Sequence, residues 1–208
     1  MRIKRHRKHP PARGMTLAEV AIVMGLIGLL LGALWSFVPL VYSRAQQEQM
    51  FEQILLTVNK MRGFYLGQAR IPSGLTTDTA IRHEIVPPEM VRDKTATTLI
   101  ADHTWSSPET SGTYTNGTYI VDDDPGGTSS GQLFRLQLLD LPLRICMPLV
   151  PRLTGIEGPS GITALTINGV AVPTPTKVTV GAASAACQGG TIPRTDRANV
   201  IFTYRLRD

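Results

Sequence analysis

The sequence predicts an α+β protein in which one long N-terminal helix precedes an antiparallel β-sheet domain. Residues 20 to 43 carry no charged side chain and are mostly apolar, which gives 24 residues where a helix needs about 20 to cross a bilayer. After residue 112, short alternating segments are separated by turns rich in Gly, Asn, Asp and Pro, a pattern typical of strands. These observations divide the chain into a basic leader (1–14), a membrane-spanning helix (15–43), its amphipathic continuation (44–71) and a β-rich head domain (72–208).

The positive charge of the chain is concentrated at its N-terminus. The whole chain has 21 basic and 16 acidic residues, but six of the basic residues and none of the acidic ones precede Gly14. The remaining 15 basic residues are balanced by 16 acidic ones, which argues against nucleic acid as an electrostatic partner. Because Lys and Arg beside a spanning helix hold that end in the cytoplasm, we expect a single-pass inner-membrane protein whose residues after Ser43 lie across the membrane.

Residues 1–14 are predicted to be a targeting segment that is removed rather than folded. Pro10 and Pro11 prevent a helix from running through this segment. A secretory signal is the alternative, since Ser43-Arg44-Ala45 offers a small-x-small cleavage site. The apolar run is too long for a signal peptide, and Glu19 interrupts the junction between the basic and apolar parts, which favours a spanning helix.

The helix is predicted to continue beyond the membrane, from Met15 to about Arg70. Its second half carries an apolar stripe with helical spacing, made of Met50, Ile54, Val58, Met61 and Tyr65, with Phe51 and Leu55 beside it. Polar and charged residues occupy the other face. We therefore expect this half to pack on the head domain, while the first half, which is apolar all round, needs a different cover.

The head domain is predicted to begin with a connecting region over 72–112 that contains a short helix near 88–94. The strand signals that follow cover 113–121, 132–139, 162–167, 170–180 and 199–205. Asn168-Gly169 predicts a tight turn that joins the third and fourth of these into a hairpin. A helical turn over 144–149 carries Cys146.

Cys146 and Cys187 both lie in the part of the chain that is expected to be exported. In an oxidising compartment this favours one disulfide, closing a loop of 42 residues. Chain-entropy arguments give such a loop about 4 kcal/mol of stabilisation. Two free thiols or half of a metal site are the alternatives, but the chain has no CxxC pair and only His83 and His103 outside the leader, so we expect no metal and no cofactor.

The residues Gly14-Met15-Thr16-Leu17-Ala18-Glu19-Val20 resemble the processing site of type IV prepilins. The resemblance implies that a prepilin peptidase in the membrane cuts between Gly14 and Met15 and methylates the new amine of Met15. Methionine as the first residue after the cleavage site is similar to the prepilins of the type IVb branch. A second similarity, to the PilS-type pilins of thin conjugative and adhesive pili, lies in the run from Leu141-Pro142 through Cys146 to Leu149-Val150. The position of Cys187 ahead of an aromatic closing strand is similar to these pilins as well. The fold implied is the type IV pilin fold.

The residues expected to act in processing and assembly are Gly14, Met15, Thr16, Glu19, Gly28 and Gly32. Gly14 lacks a side chain, so the scissile bond can enter a protease cleft in an extended form. A carboxylate such as Glu19 is costly at membrane depth, and a neighbouring subunit's terminal amine would pair with it and set the axial register. The alternative is a hydrated interfacial carboxylate. Gly28-x-x-x-Gly32, extended by Gly25, is a motif that permits close helix packing.

The expected function is that of a structural subunit, a major pilin rather than an enzyme, for adhesion, aggregation or conjugative mating contact. Its expected partners are copies of itself in a helical filament, the prepilin peptidase, the pilus assembly machinery and, before assembly, inner-membrane lipid. The assembled chain is expected in an extracellular pilus. A minor pilin or pseudopilin of a secretion or DNA-uptake system is the alternative, and a secreted or membrane-anchored binding module is the alternative of another class.

Two motifs in the head domain raise the question of a catalytic site and of a calcium site. Gly127-Thr128-Ser129-Ser130-Gly131 matches the hydrolase G-x-S-x-G pattern, but a strand rather than a helix is predicted after it. Asp122, Asp123 and Asp124 suggest a calcium site, but their spacing matches no EF-hand loop, so a solvated turn is favoured.

Overall fold

The computed structural model describes residues 16–68, 70–92, 96–106, 117–123, 131–156, 158–189 and 196–206, with residues 36–43 described by their backbone alone. Gly14, Met15, Asp124, the first part of the predicted strand at 113–121 and the Thr128 to Ser130 stretch lie outside these ranges. The chain divides into two units, 1–44 and 45–208. From here on, the head domain means the second unit, which includes the second half of the long helix in addition to residues 72–208.

Helix α1 runs from Leu17 to Tyr65. The predicted start, Met15, lies outside the described residues, and the end comes five residues before the predicted one at Arg70. The helix tightens as it ends, since the amide of Leu66 donates to the carbonyl of Gly63 at 3.4 Å and the amide of Gln68 to that of Tyr65 at 2.9 Å. Gly63 and Gly67 are poor helix formers, which explains why the helix does not continue.

The second half of α1 packs on the rest of the head domain through the predicted stripe. Met50, Ile54, Val58, Met61 and Tyr65 are each at most 3% exposed. Phe51 is also buried, and Leu55 is partly buried against the same core. Four-residue and three-residue spacings bring these side chains to one face of the helix, and this prediction is confirmed.

The segment between α1 and the sheet contains one helix that the sequence did not predict, α2 from Thr77 to Arg82. Thr76 caps it, since its hydroxyl oxygen accepts from the amide of Thr79 at 3.3 Å. The predicted helix at 88–94 is a single 3-10 turn, Pro88–Met90.

A five-stranded antiparallel sheet forms the rest of the core, with spatial order β1-β2-β5-β3-β4. The strands are β1 (Tyr119–Asp123), β2 (Leu133–Pro142), β3 (Ile162–Ile167), β4 (Val170–Ala171) and β5 (Arg197–Arg205). On β5, Val200, Phe202 and Tyr204 are fully buried, which confirms the predicted alternation. The rings of Phe134 and Tyr204 stack across β2 and β5 with centroids 5.5 Å apart.

The prediction of a strand over 170–180 is wrong after Ala171. The turn at Asn168-Gly169 is present, with φ of 54° and 81°, values that suit a two-residue hairpin turn. However, β4 ends at Ala171, because Pro173 and Pro175 lack the amide hydrogens that a strand ladder needs. A helix, α4, then covers Val180–Gln188.

The predicted helical turn over 144–149 is longer than expected. It is helix α3, Leu143–Thr154, and it contains Pro148 and Pro151. A disulfide joins Cys146 of α3 to Cys187 of α4, and both residues are buried. The disulfide therefore fixes the two helices to each other at the end of the sheet.

Candidate functional site

Thr16 and Glu19 form a reciprocal pair at the start of α1. The amide of Glu19 donates to the hydroxyl oxygen of Thr16 at 3.3 Å, and the amide of Thr16 donates to the Glu19 carboxylate at 3.4 Å. This is the capping-box arrangement, which satisfies two amides that a helix N-terminus otherwise leaves without partners. An acidic side chain here also interacts favourably with the positive end of the helix dipole. The T-x-x-E spacing was visible in the sequence, so this role of Thr16 was predictable.

The first part of α1 presents an uncovered apolar surface. Leu17–Trp35 has a mean hydropathy of 2.4, and none of it is buried. By length and composition this is the one segment of the described chain that is suited to span a bilayer. Large apolar side chains are exposed all round it, including Leu17, Ile22, Met24, Leu29 and Trp35. Such a surface needs lipid or other apolar helices as its cover.

Gly25, Gly28 and Gly32 lie within this apolar surface. A Cβ atom added at any of the three would meet nothing within 4 Å in the described chain. Packing among the described residues therefore does not require a glycine at these positions. Small residues at such spacing allow two helix backbones to approach closely, so their use is expected in contacts with another helix.

Two arginines hold the second half of α1 to the rest of the head domain. The Arg62 guanidinium donates to the carbonyl oxygen of Ser160 at 2.6 Å and to that of Arg205 at 3.2 Å. Arg152 of α3 pairs with Glu48 at 2.7 Å and lies 4.0 Å from the centre of the Phe51 ring. These polar contacts hold the helix in place in addition to the packing of its buried apolar stripe.

Asn168 ties three elements of the head together, a role that the sequence analysis did not assign. Its amide nitrogen donates to the carbonyls of Ala186, Cys187 and Gly189 at 3.2, 2.9 and 2.5 Å, and so caps the end of α4. Its amide oxygen accepts from the amide of Asn199 on β5 at 2.8 Å. The Asn-Gly signal predicted the turn but not these contacts.

Asp102 and His103 are engaged in internal contacts. Burial raises the pKa of Asp102, but the two nitrogens of Arg92 and the two hydrogen bonds from Thr118 together outweigh it and hold the pKa below its usual range. Nε2 of His103 lies 2.7 Å from the carbonyl oxygen of Leu139, and Nδ1 accepts from the amide of Trp105. Burial lowers the pKa of His103, so the ring is neutral at physiological pH.

Two of the three aspartates considered for calcium binding, Asp122 and Asp123, are paired within the protein. The Asp122 carboxylate accepts from Arg135 at 2.9 and 3.0 Å and from Gln137 at 2.6 Å. The Asp123 carboxylate accepts from the amide of Gly74 at 3.0 Å. Among the residues that the structure describes, no group of three or more His, Cys, Asp or Glu side chains is placed to hold a metal. The contacts of Asp122 and Asp123 favour a structural turn over a calcium site.

Solved pilin structures are similar to this chain over about three quarters of its length. A crystal structure of a type IVb pilin from Salmonella typhi superposes with a TM-score of 0.54 and 21% sequence identity, covering 74% of this chain and 97% of the pilin. This chain has the type IVb pilin fold. An NMR structure of the type IVb pilin PilS from Salmonella typhi is similar over 76% of this chain and 93% of its own, with 24% identity and a TM-score of 0.43. No family model and no curated protein matches the sequence.

Within this pilin fold, the predicted site residues fall into three groups. Cys146 and Cys187 are joined, as predicted. Thr16, Glu19, Gly28 and Gly32 lie on the uncovered helix. Gly14 and Met15 lie outside the described residues, so processing stays a prediction.

Proposed function

We propose that this chain is a prepilin, the structural subunit of a type IVb pilus. A prepilin peptidase removes residues 1–14 and methylates the amine of Met15. The processed subunit is held in the inner membrane by its apolar helix until the assembly machinery extracts it. In the filament, the N-terminal helices form the core and the head domain faces outward, where it serves adhesion, aggregation or mating contact.

The observation that carries the proposal is the contrast between the two units. The head domain buries its own apolar residues around α1 and the sheet, whereas Leu17–Trp35 buries none. Lipid covers such a surface before assembly, and identical helices from other subunits cover it afterwards. Exchange between these two covers costs little hydrophobic free energy, since both are apolar, and helix packing and polar contacts then decide the equilibrium.

The capping box refines the proposed role of Glu19. In the isolated subunit, the carboxylate already has its own chain's Thr16 amide as a partner, which reduces the cost of a charge near the membrane edge. In the filament, the cationic amine of a neighbouring Met15 would be a stronger partner for the same carboxylate, since it brings a full opposite charge that the neutral Thr16 amide lacks. Glu19 is then stabilised in both states but by different partners.

The substitution Glu19→Gln separates the charge from the cap. Glutamine also completes a capping box, so the helix start is kept while the charge is lost. We expect the Glu19→Gln chain to be processed and folded but to form no filaments. Glu52→Gln is the matched control, because Glu52 is an exposed glutamate farther along the same helix. Normal filaments from Glu19→Gln would contradict the proposed pairing.

The composition of purified filaments decides between a major and a minor pilin. Filaments made mainly of this chain support the major pilin, while a trace amount supports a minor pilin or a pseudopilin. A mature N-terminus at Gln46 would instead support a secreted binding module.

A further inference from the structure

A small pocket lies in the head domain where α1 ends and α2 approaches it. Its volume is about 310 Å³, at the lower end of the roughly 300–1,000 Å³ found for ligand pockets. We call it the aromatic pocket, and its principal lining residues are Phe64, Tyr65, Pro72, Ser73, Thr79 and His83. None of the contacts described above for assembly or for the disulfide involves these side chains.

Phe64 distinguishes this pocket from the rest of the head surface. Its side chain is 44% exposed, and among the described residues of the head domain it is the one exposed Phe, Tyr or Trp side chain. The Phe64 ring is nevertheless held in place, with ring centres 5.0 Å from Tyr65 and 4.7 Å from His83. A fixed aromatic ring with a solvent-facing surface is a contact area that costs little conformational entropy to use.

The rim of the pocket is built from ordered segments with free polar groups. The amide of Gly74 donates to Asp123, and Thr76 and Thr79 hold the start of α2. Within the described residues, the Ser73 hydroxyl and the two ring nitrogens of His83 make no hydrogen bond. Among the described residues that line the pocket, none is an Asp, Glu, Lys or Arg. The pocket therefore combines one apolar surface with uncharged hydrogen-bonding groups.

We propose that the aromatic pocket binds a neutral pyranose, the terminal hexose of a glycan. A pyranose has an apolar C–H face that can lie on the Phe64 ring and a rim of hydroxyls that can bond to Ser73 and His83. A charged ligand loses hydration in a pocket that offers no opposite charge, so it binds less well. The volume admits about one sugar ring, which selects against an extended peptide.

Saturation-transfer NMR on the full-length chain tests this, using a polyoxyethylene detergent because it carries no sugar. The probes are the methyl glycosides of glucose, galactose, mannose and N-acetylglucosamine, with glucuronic acid as the charged comparison. We expect at least one neutral glycoside to receive saturation and glucuronic acid to receive less. Phe64→Ala should weaken binding by about tenfold, and Phe64→Tyr, which keeps the ring, should not.

Two further variants complete the test. Leu66→Ala is the matched control, because Leu66 is 67% exposed beside the pocket but does not line it, and it should bind normally. Ser73→Trp fills the pocket and should abolish binding. The inference is overturned if no neutral glycoside binds, if Phe64→Ala and Ser73→Trp bind normally, or if glucuronic acid binds best. The measurement uses unassembled protein, so its outcome is independent of whether the chain forms pili.

Discussion

Tyr119 and Tyr204 are two buried tyrosines that the structure predicts to respond oppositely to the same substitution. Both are fully buried. The Tyr119 hydroxyl donates to the Thr57 hydroxyl oxygen at 2.9 Å, whereas the Tyr204 hydroxyl has no hydrogen-bond partner among the described residues. A Tyr→Phe substitution removes the same oxygen atom from each.

The magnitudes follow from what each hydroxyl contributes. Tyr119→Phe loses one hydrogen bond, while Thr57 keeps the bond that it donates to the carbonyl of Gln53 at 2.8 Å, so we expect a loss of about 1 kcal/mol in the free energy of unfolding. Tyr204→Phe removes a buried polar group whose lack of a partner costs about 1–3 kcal/mol, part of which is lost again to the small space left behind. We expect Tyr204→Phe to raise the free energy of unfolding by about 1 kcal/mol.

Urea unfolding of the detergent-solubilised full chain, followed by near-ultraviolet circular dichroism, measures both changes. The dependence on urea concentration should be the same in both variants, since each exposes the same surface on unfolding. The reasoning is refuted if Tyr204→Phe destabilises the protein as much as Tyr119→Phe does.

Three further predictions concern pH, the cap of α4 and the glycine face. Burial raises the pKa of Tyr119 and Tyr204 above the ordinary value of 10.0. As the pH rises, the unfolded chain therefore loses these protons before the folded protein does. The free energy of unfolding should fall above about pH 10 by about 1.4 kcal/mol per pH unit for each tyrosine. Alkaline urea titrations measure this, and Tyr204→Phe should reduce the slope by the contribution of one tyrosine, about 1.4 kcal/mol per pH unit. Asn168→Asp places a carboxylate against three carbonyls and should lower the free energy of unfolding by about 2–4 kcal/mol. The control, Asn59→Asp on the exposed face of α1, should change it by less than about 0.5 kcal/mol in the same assay. Equal effects would contradict the capping role of Asn168. Gly28→Leu should leave the circular dichroism spectrum of the head unchanged but abolish filaments in electron micrographs, and normal filaments would show that no helix packs closely there.

The pattern of apolar residues was sufficient to predict the parts of the fold in which one face alone is buried. The stripe on α1 and the alternation on β5 follow directly from helical and strand periodicity. The membrane-length segment followed from its uninterrupted apolar composition.

The elements that the sequence analysis missed are short and depend on contacts distant in the chain. Helix α2 has six residues and is fixed by a Thr76 cap and by packing of Ala80, neither of which gives a periodic signal. In α4 the sequence is rich in Ala and opens with Val-Gly, and the nearby Val and Thr residues made a strand equally plausible. Its burial of Ala183 and its disulfide through Cys187 decide in favour of a helix.

The candidate site was predictable in its residues but not in all its interactions. The T-x-x-E spacing contains the capping box, and it was assigned to assembly alone. The contacts of Asn168 join residues from three segments of the chain, and the aromatic pocket joins α1 to the end of α2. No local pattern in a single sequence indicates such groupings.

The most direct test of the pilus proposal is the mass of the N-terminal peptide of subunits taken from purified filaments. The proposal predicts a peptide that begins at Met15 and carries one added methyl group on its amine. Filaments built from chains that still begin at Met1, or from chains that begin at Gln46, would contradict it.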